Sequence, residues 1–342
     1  MNEEKPIIGI TMGDPAGIGP EVIVKALQHA EIYQICRPCV IGDASVFQTA
    51  AALLGGDAKI RAVCDISSAQ FQQGIIDVLD QKSVPPGSLE YGKVSANAGK
   101  AAFQAVEEAI RLAIKGEVDG TVTAPINKEA INLAGFHFSG HTEIYAHKTG
   151  SRDYAMLLIH ENLRIAHVST HVSLREACDL VKKDRVLRVI QLSGDACKKF
   201  GVGKPRIGVA GLNPHAGENG MFGNEEILEI APAVERARRE GYCVDGPLPP
   251  DSIFSKARGG NYDIVVAMYH DQGHIPLKTA GFLWDEAKQQ WKHINGVNIT
   301  LGLPIVRTSV DHGTAFEIAW KGIASENSMV NAIEYAVKLT KK

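Results

Sequence analysis

Pro6–Met12 reads PIIGITM, Gly13–Pro20 reads GDPAGIGP, and Glu21–Ala30 reads EVIVKALQHA. The first run is apolar and β-branched, the pattern of a buried strand. The second is dense in glycine and proline and reads as a tight loop. The third carries apolar residues at helical spacing, and Pro20 suits the first turn of a helix, where a missing N–H costs nothing. Strand, glycine loop and helix in this order open a parallel α/β unit.

The alternation continues outward. Strands are predicted at Arg37–Gly42, Lys59–Cys64 and Gly120–Pro125, with helices at Ala44–Leu54 and Ser95–Lys115 and a short one after Asn127, a capping residue. A different rhythm begins near residue 150. Tyr154–His160 and Leu163–Thr170 flank Glu161-Asn162 and read as an antiparallel hairpin. Helices resume at Ser173–Phe200 and Asn224–Glu240. Strands are expected at Pro205–Leu212, Tyr262–Tyr269 and within Gly296–Val310, and a last helix at Ser328–Lys341. The change of rhythm divides the chain into a first α/β domain of residues 1–127 plus 301–342 and a second of residues 128–300.

Composition excludes several classes. Of 342 residues, 45% are hydrophobic and 22% charged, the balance of a globular chain. Lys and Arg total 36 against 39 Asp and Glu, so no basic surface is available to neutralise nucleic acid. No apolar run approaches the roughly 18–20 residues of a membrane span. The start, MNEEKPIIGI, does not read as a secretory signal. Six scattered cysteines do not make a disulfide scaffold, and the lone CxxC, Cys36–Cys39, lacks the second pair of a zinc ribbon. A cytoplasmic protein is expected.

Gly13, Asp14, Gly17 and Gly19 admit two readings. The loop either points backbone N–H groups at an anion, such as a cofactor phosphate, or is a tight turn capped by Asp14. It matches neither GxGxxG nor a P-loop. His171, His215 and His270 each follow an apolar strand, and strand ends are where ligands bind in open α/β sheets. Three converging imidazoles would hold one divalent metal ion and leave positions open for substrate; each alone is equally an ordinary polar histidine. His167 shares a strand face with His171. His141 and Thr142 sit in the short loop Gly140–Glu143. Lys278, Asn298 and Arg307 place polar and cationic groups in glycine-rich or apolar surroundings, as phosphate or carboxylate binding requires, although surface ion pairs use the same residues. Asp271 would orient His270, and Asp251 either completes a metal site or caps a helix starting at Ser252.

At these residues the sequence resembles the 4-hydroxythreonine-4-phosphate dehydrogenase family. The resemblance is carried by MGDPAGIGPE, TAPINK, GHTE, STH, NPHAGENG, MYHDQGHIPLK, GVNITLGLP and RTS-x-DHGTAF, in order from Ile8 to about Tyr335. It implies an isocitrate/isopropylmalate-dehydrogenase-like fold, two α/β domains with a cleft between them. It also implies His171, His215 and His270 as metal ligands, His141 and Thr142 as substrate contacts, and Lys278, Asn298 and Arg307 as holders of the substrate's phosphate and carboxylate. The cofactor implied is NAD or NADP, and the assembly a homodimer with its active site at the interface, where one metal histidine comes from the partner chain. SRDYAM (151–156), GHIPLK (273–278) and HGTAFEIAW (312–320) look closer to the branch acting on D-threonate or D-erythronate 4-phosphate. One departure is visible: residues 279–297 are longer than the family pattern, with Trp284 and Trp291 flanking a polar centre as in an added hairpin.

The expected reaction is oxidative β-decarboxylation of a four-carbon 3-hydroxy acid 4-phosphate, giving dihydroxyacetone phosphate and carbon dioxide. The ion (zinc, magnesium, manganese or cobalt) acts as Lewis acid, and Asp251 or Lys278 accepts the hydroxyl proton. The alternative substrate is 4-hydroxy-L-threonine 4-phosphate, on the route to pyridoxal phosphate. Remoter alternatives are a metal-dependent sugar-phosphate aldolase and a non-catalytic metabolite-binding protein.

Overall fold

The computed structural model describes residues 4–56, 58–281, 284–285, 290–291 and 295–341. Two compact units emerge, Met1–Arg152 with Leu303–Lys342, and Asp153–Gly302. The first junction thus follows Arg152 instead of residue 127, and the second follows Gly302 instead of residue 300.

The first stretch of unit 1 runs β1 (Ile7–Thr11), α1 (Gly19–Ala26), α2 (Ala30–Ile35), β2 (Arg37–Gly42), α3 (Ala44–Leu54), β3 (Lys59–Val63), β4 (Ile75–Asp80), α4 (Ala96–Lys115), β5 (Gly120–Thr123), α5 (Lys128–Leu133) and α6 (His141–Thr149). The expected α/β alternation is present. The longest helix, α4, shows why its limits were legible: Ser95 Oγ accepts from Ala98 N–H at its start, and Gly116 takes a left-handed conformation at its end. The junction falls late because α5 and α6 pack on α4, where Ile131, Ile144 and Tyr145 join Phe103, Val106 and Ile110 in one buried cluster. Gly140–Glu143, expected as a loop, is the first turn of α6.

Unit 2 contains β6 (Ala155–His160), β7 (Leu163–His167), α7 (Leu174–Leu180), α8 (Lys183–Lys199), β8 (Arg206–Ala210), α9 (Ala231–Arg239), β9 (Cys243–Leu248), α10 (Pro250–Arg258), β10 (Ile264–Ala267), α11 (His270–Gly281), the two-residue strands β11 (Trp284–Asp285) and β12 (Gln290–Trp291), and β13 (Val297–Leu301). Its strands lie in the order β13-β6-β7-β10-β8-β9. The hairpin β6–β7 is antiparallel, as is β13 against β6, whereas β7, β10, β8 and β9 are mutually parallel. Leu158, Ile165, Val265 and Ala267 form its core with Ile253 and Leu277 from the covering helices. In the segment 279–297 Trp284 pairs antiparallel with Trp291; its residues 282–283, 286–289 and 292–294 lie outside the described residues.

The chain then returns to unit 1 with β14 (Val306–Val310) and α12 (Asn327–Thr340). The unit 1 strands run β3-β4-β2-β1-β5-β14, all parallel. Strands buried on both faces explain the unbroken apolar runs in the sequence. All six cysteines are free thiols, and no helix among the described residues is long and apolar enough to cross a membrane.

Candidate active site

In unit 1, β14 lies beside β5 with Arg307 opposite Thr121. Arg307 is 2% exposed. Its Nη2 donates to Thr123 Oγ1 at 2.8 Å, and its guanidinium stands 5.7 Å from the centre of the Tyr145 ring. Tyr145 is fixed in turn by donating to Thr121 Oγ1 at 3.0 Å. Burial lowers the Arg307 pKa to about 10, a larger effect than the opposing attraction of Tyr145 and Glu143. The guanidinium stays charged at neutral pH, poorly hydrated and primed for an anion. His141, at the first position of α6, has a buried Nε2 that meets no partner among the described residues. Burial first, and Arg307 second, push its pKa well below the usual value. It is therefore a neutral hydrogen-bonding group beside a fixed cation, at a helix N-terminus that itself favours anions. Thr142 adjoins it on the same turn. The sequence singled out His141, Thr142 and Arg307; it missed Tyr145, whose spacing of four from His141 on a helix was the available signal.

The glycine loop is closed by protein. A Cβ on Gly13 would lie 2.5 Å from Pro125 O, one on Gly19 2.5 Å from Met12 O, and one on Gly17 2.9 Å from Thr314. Asp14 is fully buried; its Oδ1 accepts from Ala16 N–H at 2.9 Å, and burial raises its pKa to about 6. Close packing of β1, α1 and the segment around Thr314 accounts for glycine at these positions without a ligand.

In unit 2 four histidines cluster where β7 and β10 end and α11 begins. The His171 and His270 rings are 5.6 Å apart, His270 stacks on His274 at 3.5 Å, and His167 lies 4.9 Å from His274. His270 Nδ1 meets Asp271 Oδ1 at 2.7 Å. A carboxylate accepts, so Nδ1 carries the hydrogen and Nε2 keeps the lone pair a metal needs. His274 Nδ1 donates in the same sense to His270 O at 2.9 Å. A cavity of about 540 Å³ opens here, lined by His171, His270, Asp271, Ser173, Glu176 and Tyr269.

The structure brings together two of the three histidines singled out in the sequence, His171 and His270. The third, His215, stands in Pro214–Gly220 with Nδ1 3.8 Å from Glu218 Oε1. Five consecutive residues there, His215 to Asn219, have φ between 43° and 81°. Left-handed conformations cost L-residues roughly 1–2 kcal/mol each, so the surroundings must impose this turn. Just before the turn the buried carboxylate of Glu226 pins the chain, accepting from the Leu212 and Asn213 N–H groups at 2.7 Å each and from Asn213 Nδ2 at 2.9 Å. Backbone strain held by a buried clamp is a mark of functional segments. Among the described residues of one chain, no set of three His, Cys, Asp or Glu side chains is arranged to hold a metal ion. The donor chemistry, imidazoles with an orienting carboxylate, fits a divalent ion.

The other expected site residues of unit 2 are dispersed over its elements. Lys278 is half-buried on α11, two turns beyond His270. Asn298, on β13, directs Nδ2 to Met156 Sδ at 3.3 Å. Asp251 is exposed in the first turn of α10, where Pro249 takes the capping position, and it lines a cavity of about 500 Å³ with Tyr269, Asp271 and Arg258.

His167 is fully buried, its Nδ1 bonded to Met156 O at 3.2 Å. Burial, with His274 next, lowers its pKa from 6.5 to about 3. The native state therefore binds fewer protons than the unfolded chain between those values, so this contribution is whole above pH 6.5 and erodes as pH falls towards 3. The full loss is roughly 5 kcal/mol. Urea midpoints across this range should fall less steeply for His167→Asn than for the unaltered chain; equal slopes would place the acid sensitivity elsewhere.

Comparison with known proteins adds an independent line. A family model described as "Pyridoxal phosphate biosynthetic protein PdxA" matches residues 34–336. The chain is 48% identical over 340 residues to a D-threonate 4-phosphate dehydrogenase of Cupriavidus necator, covering 99% of this chain and 98% of that one. It is 48% identical over 336 residues to a D-threonate 4-phosphate dehydrogenase of Salmonella typhimurium, covering 98% and 99%. The crystal structure of 4-hydroxythreonine-4-phosphate dehydrogenase from Klebsiella pneumoniae superposes with a TM-score of 0.85 at 45% identity, covering 100% of both chains.

Proposed function

This chain belongs to the PdxA family, and from that premise we propose that it is a D-threonate 4-phosphate dehydrogenase, a nicotinamide-dependent oxidoreductase of a phosphorylated hydroxy acid. The observation that carries the choice of substrate is the 48% identity, along nearly the whole of both chains, to dehydrogenases of that specificity. D-erythronate 4-phosphate belongs to the same reading. The second reading, 4-hydroxy-L-threonine 4-phosphate, is favoured by the Klebsiella pneumoniae likeness and the family's description.

The chain's own residues supply binding and proton chemistry. Arg307 neutralises an anionic end of the substrate, and its burial makes that attraction stronger than at a surface. His141, neutral by burial, and Thr142 donate or accept hydrogen bonds beside it. Lys278 and Asn298 hold the other polar groups of the substrate and fix its register. Asp251 or Lys278 takes the proton of the C3 hydroxyl as its hydride leaves. His171, His270 and His215 hold the metal, and Asp271 orients His270. When bound, the divalent ion polarises the substrate oxygen and the dinucleotide accepts the hydride. The 3-keto acid then loses its carboxyl carbon as carbon dioxide, leaving dihydroxyacetone phosphate.

The assembly proposed is a homodimer in the cytoplasm, its active site completed at the interface. Of the three histidines read as ligands, one chain brings together His171 and His270, and among its described residues no three donors are arranged to hold an ion. Leu174 and Ile275, which line the cavities beside the histidine cluster and beside Asp251, are 63% and 62% exposed, as suits a surface covered by a second copy.

The deciding experiment offers D-threonate, D-erythronate and 4-hydroxy-L-threonine 4-phosphates, each with NAD⁺ and NADP⁺. Nicotinamide reduction with equal release of carbon dioxide is expected, with the highest kcat/KM for a hydroxy acid. A higher value for the amino acid would establish the second reading. Carbon–carbon cleavage without nicotinamide reduction would identify an aldolase.

A further inference from the structure

The strand ends of unit 2 are tied together by one side-chain amide. Gln272, in the first turn of α11, is 8% exposed. Its Oε1 accepts from Met268 N–H at 2.6 Å, and its Nε2 donates to Gly211 O at 2.7 Å. Met268 stands two residues before His270, and Gly211 four residues before His215. The Met268 carbonyl also accepts from the Ser169 N–H at 3.2 Å and the Ser169 hydroxyl at 3.0 Å, and Ser169 stands two residues before His171. A continuous chain of hydrogen bonds, Ser169–Met268–Gln272–Gly211, therefore joins the backbone roots of all three candidate ligands.

The geometry points to Gln272 as a positioning residue for the metal centre, its amide fixing the strand ends from which His270 and His215 are presented, each to this chain's ion or across the interface to the partner's. The inference rests on the metal reading above and adds a residue to it. An amide is the side chain this position needs. It is neutral, and it combines an acceptor for one strand end with a donor for the other. Asparagine is one methylene too short to reach both partners. Methionine matches the length and offers neither bond. Gln272 acts on the ion only through the backbone, and its effect is read in how the ion is held.

The test uses Co²⁺ added to the full-length, metal-free protein, with affinity measured by chelator competition and geometry by the d–d absorption band. Gln272→Met and Gln272→Asn are expected to weaken Co²⁺ binding by about 10- to 100-fold, the range for groups that orient metal ligands, and to shift the band. A merely structural amide would lower Tm and leave both untouched, which would overturn the proposal. If the unaltered protein itself takes up no Co²⁺, the metal reading falls and this proposal with it; if it binds and the variants bind equally, only the role of Gln272 falls. Should Gln272→Met fail to fold, Gln272→Asn decides. Ser169→Ala, which deletes a single hydroxyl from the same chain, gives a further reading of the same kind: weakened Co²⁺ binding is expected, and unchanged affinity and band count against the chain as a positioning device.

Discussion

Replacing His270 by alanine is expected to lower kcat/KM by about a thousandfold and to reduce bound metal in parallel. Lewis-acid stabilisation is worth several kcal/mol, and each 1.36 kcal/mol is a factor of ten. His270 occupies the centre of the imidazole cluster, 5.6 Å from His171 and stacked on His274. The side chain of His270 is 34% exposed, so its removal leaves little cavity and the fold should persist. Asp271→Asn is the informative companion. It keeps the shape and weakens the acceptor that fixes the His270 tautomer, so a smaller loss, about 10- to 100-fold, is expected. Metal analysis alongside steady-state kinetics separates the outcomes. Full turnover by metal-free His270→Ala would remove the Lewis acid from the mechanism.

The α/β architecture was legible because its signals are local. β1 and the buried helix after it each follow their own apolar pattern, α4 adds a cap at both ends, and the hairpin β6–β7 announces itself by two β-rich runs around Glu161-Asn162. What stayed hidden was non-local or disguised. Helix α11 contains Gly273 and Pro276, both weak or forbidding helix residues, so His270 reads as a strand-end loop residue. Only once the segment is helical does the spacing of four from His270 to His274 place both rings on one face. The late junction at Arg152 depends on α5 and α6 packing on α4, which no local pattern records.

The site divides along the same line. Residue types at strand ends marked His171 and His270, and a cation in apolar, glycine-rich surroundings marked Arg307. The left-handed turn of His215 has only Gly217 as an obvious cue, and the carboxylate that pins the chain just before it, Glu226, reads as one acid in an ordinary amphipathic run. The glycine loop shows the converse. Its composition invites a phosphate, yet the space beside each glycine is filled by Pro125, Met12 or Thr314. Glycine marks close approach; it does not say of what.

Arg307→Met should separate binding from stability more sharply than any other single change. Its guanidinium is buried, and burial is the largest influence on its pKa, lowered to about 10 from 12.5. That displacement corresponds to roughly 3 kcal/mol by which the folded surroundings disfavour the charge. Methionine fills similar length without a charge to desolvate, and well-packed apolar replacements of buried charges are often stabilising. Thr123 keeps a bond for its hydroxyl, at 3.5 Å to Thr308 O. The ligand-free variant should therefore melt no lower than the unaltered protein. Binding should suffer in the opposite sense. A lost hydrogen bond to a charged group costs about 1.5–3 kcal/mol, so KM should rise roughly 10- to 100-fold, with a smaller fall in kcat because the contact also exists in the ground state. Inorganic phosphate provides a check independent of turnover: it should raise Tm of the unaltered protein by mass action and leave that of Arg307→Met unmoved. A variant that loses stability and keeps its KM would make Arg307 a structural cation, and the anion site would have to be sought elsewhere.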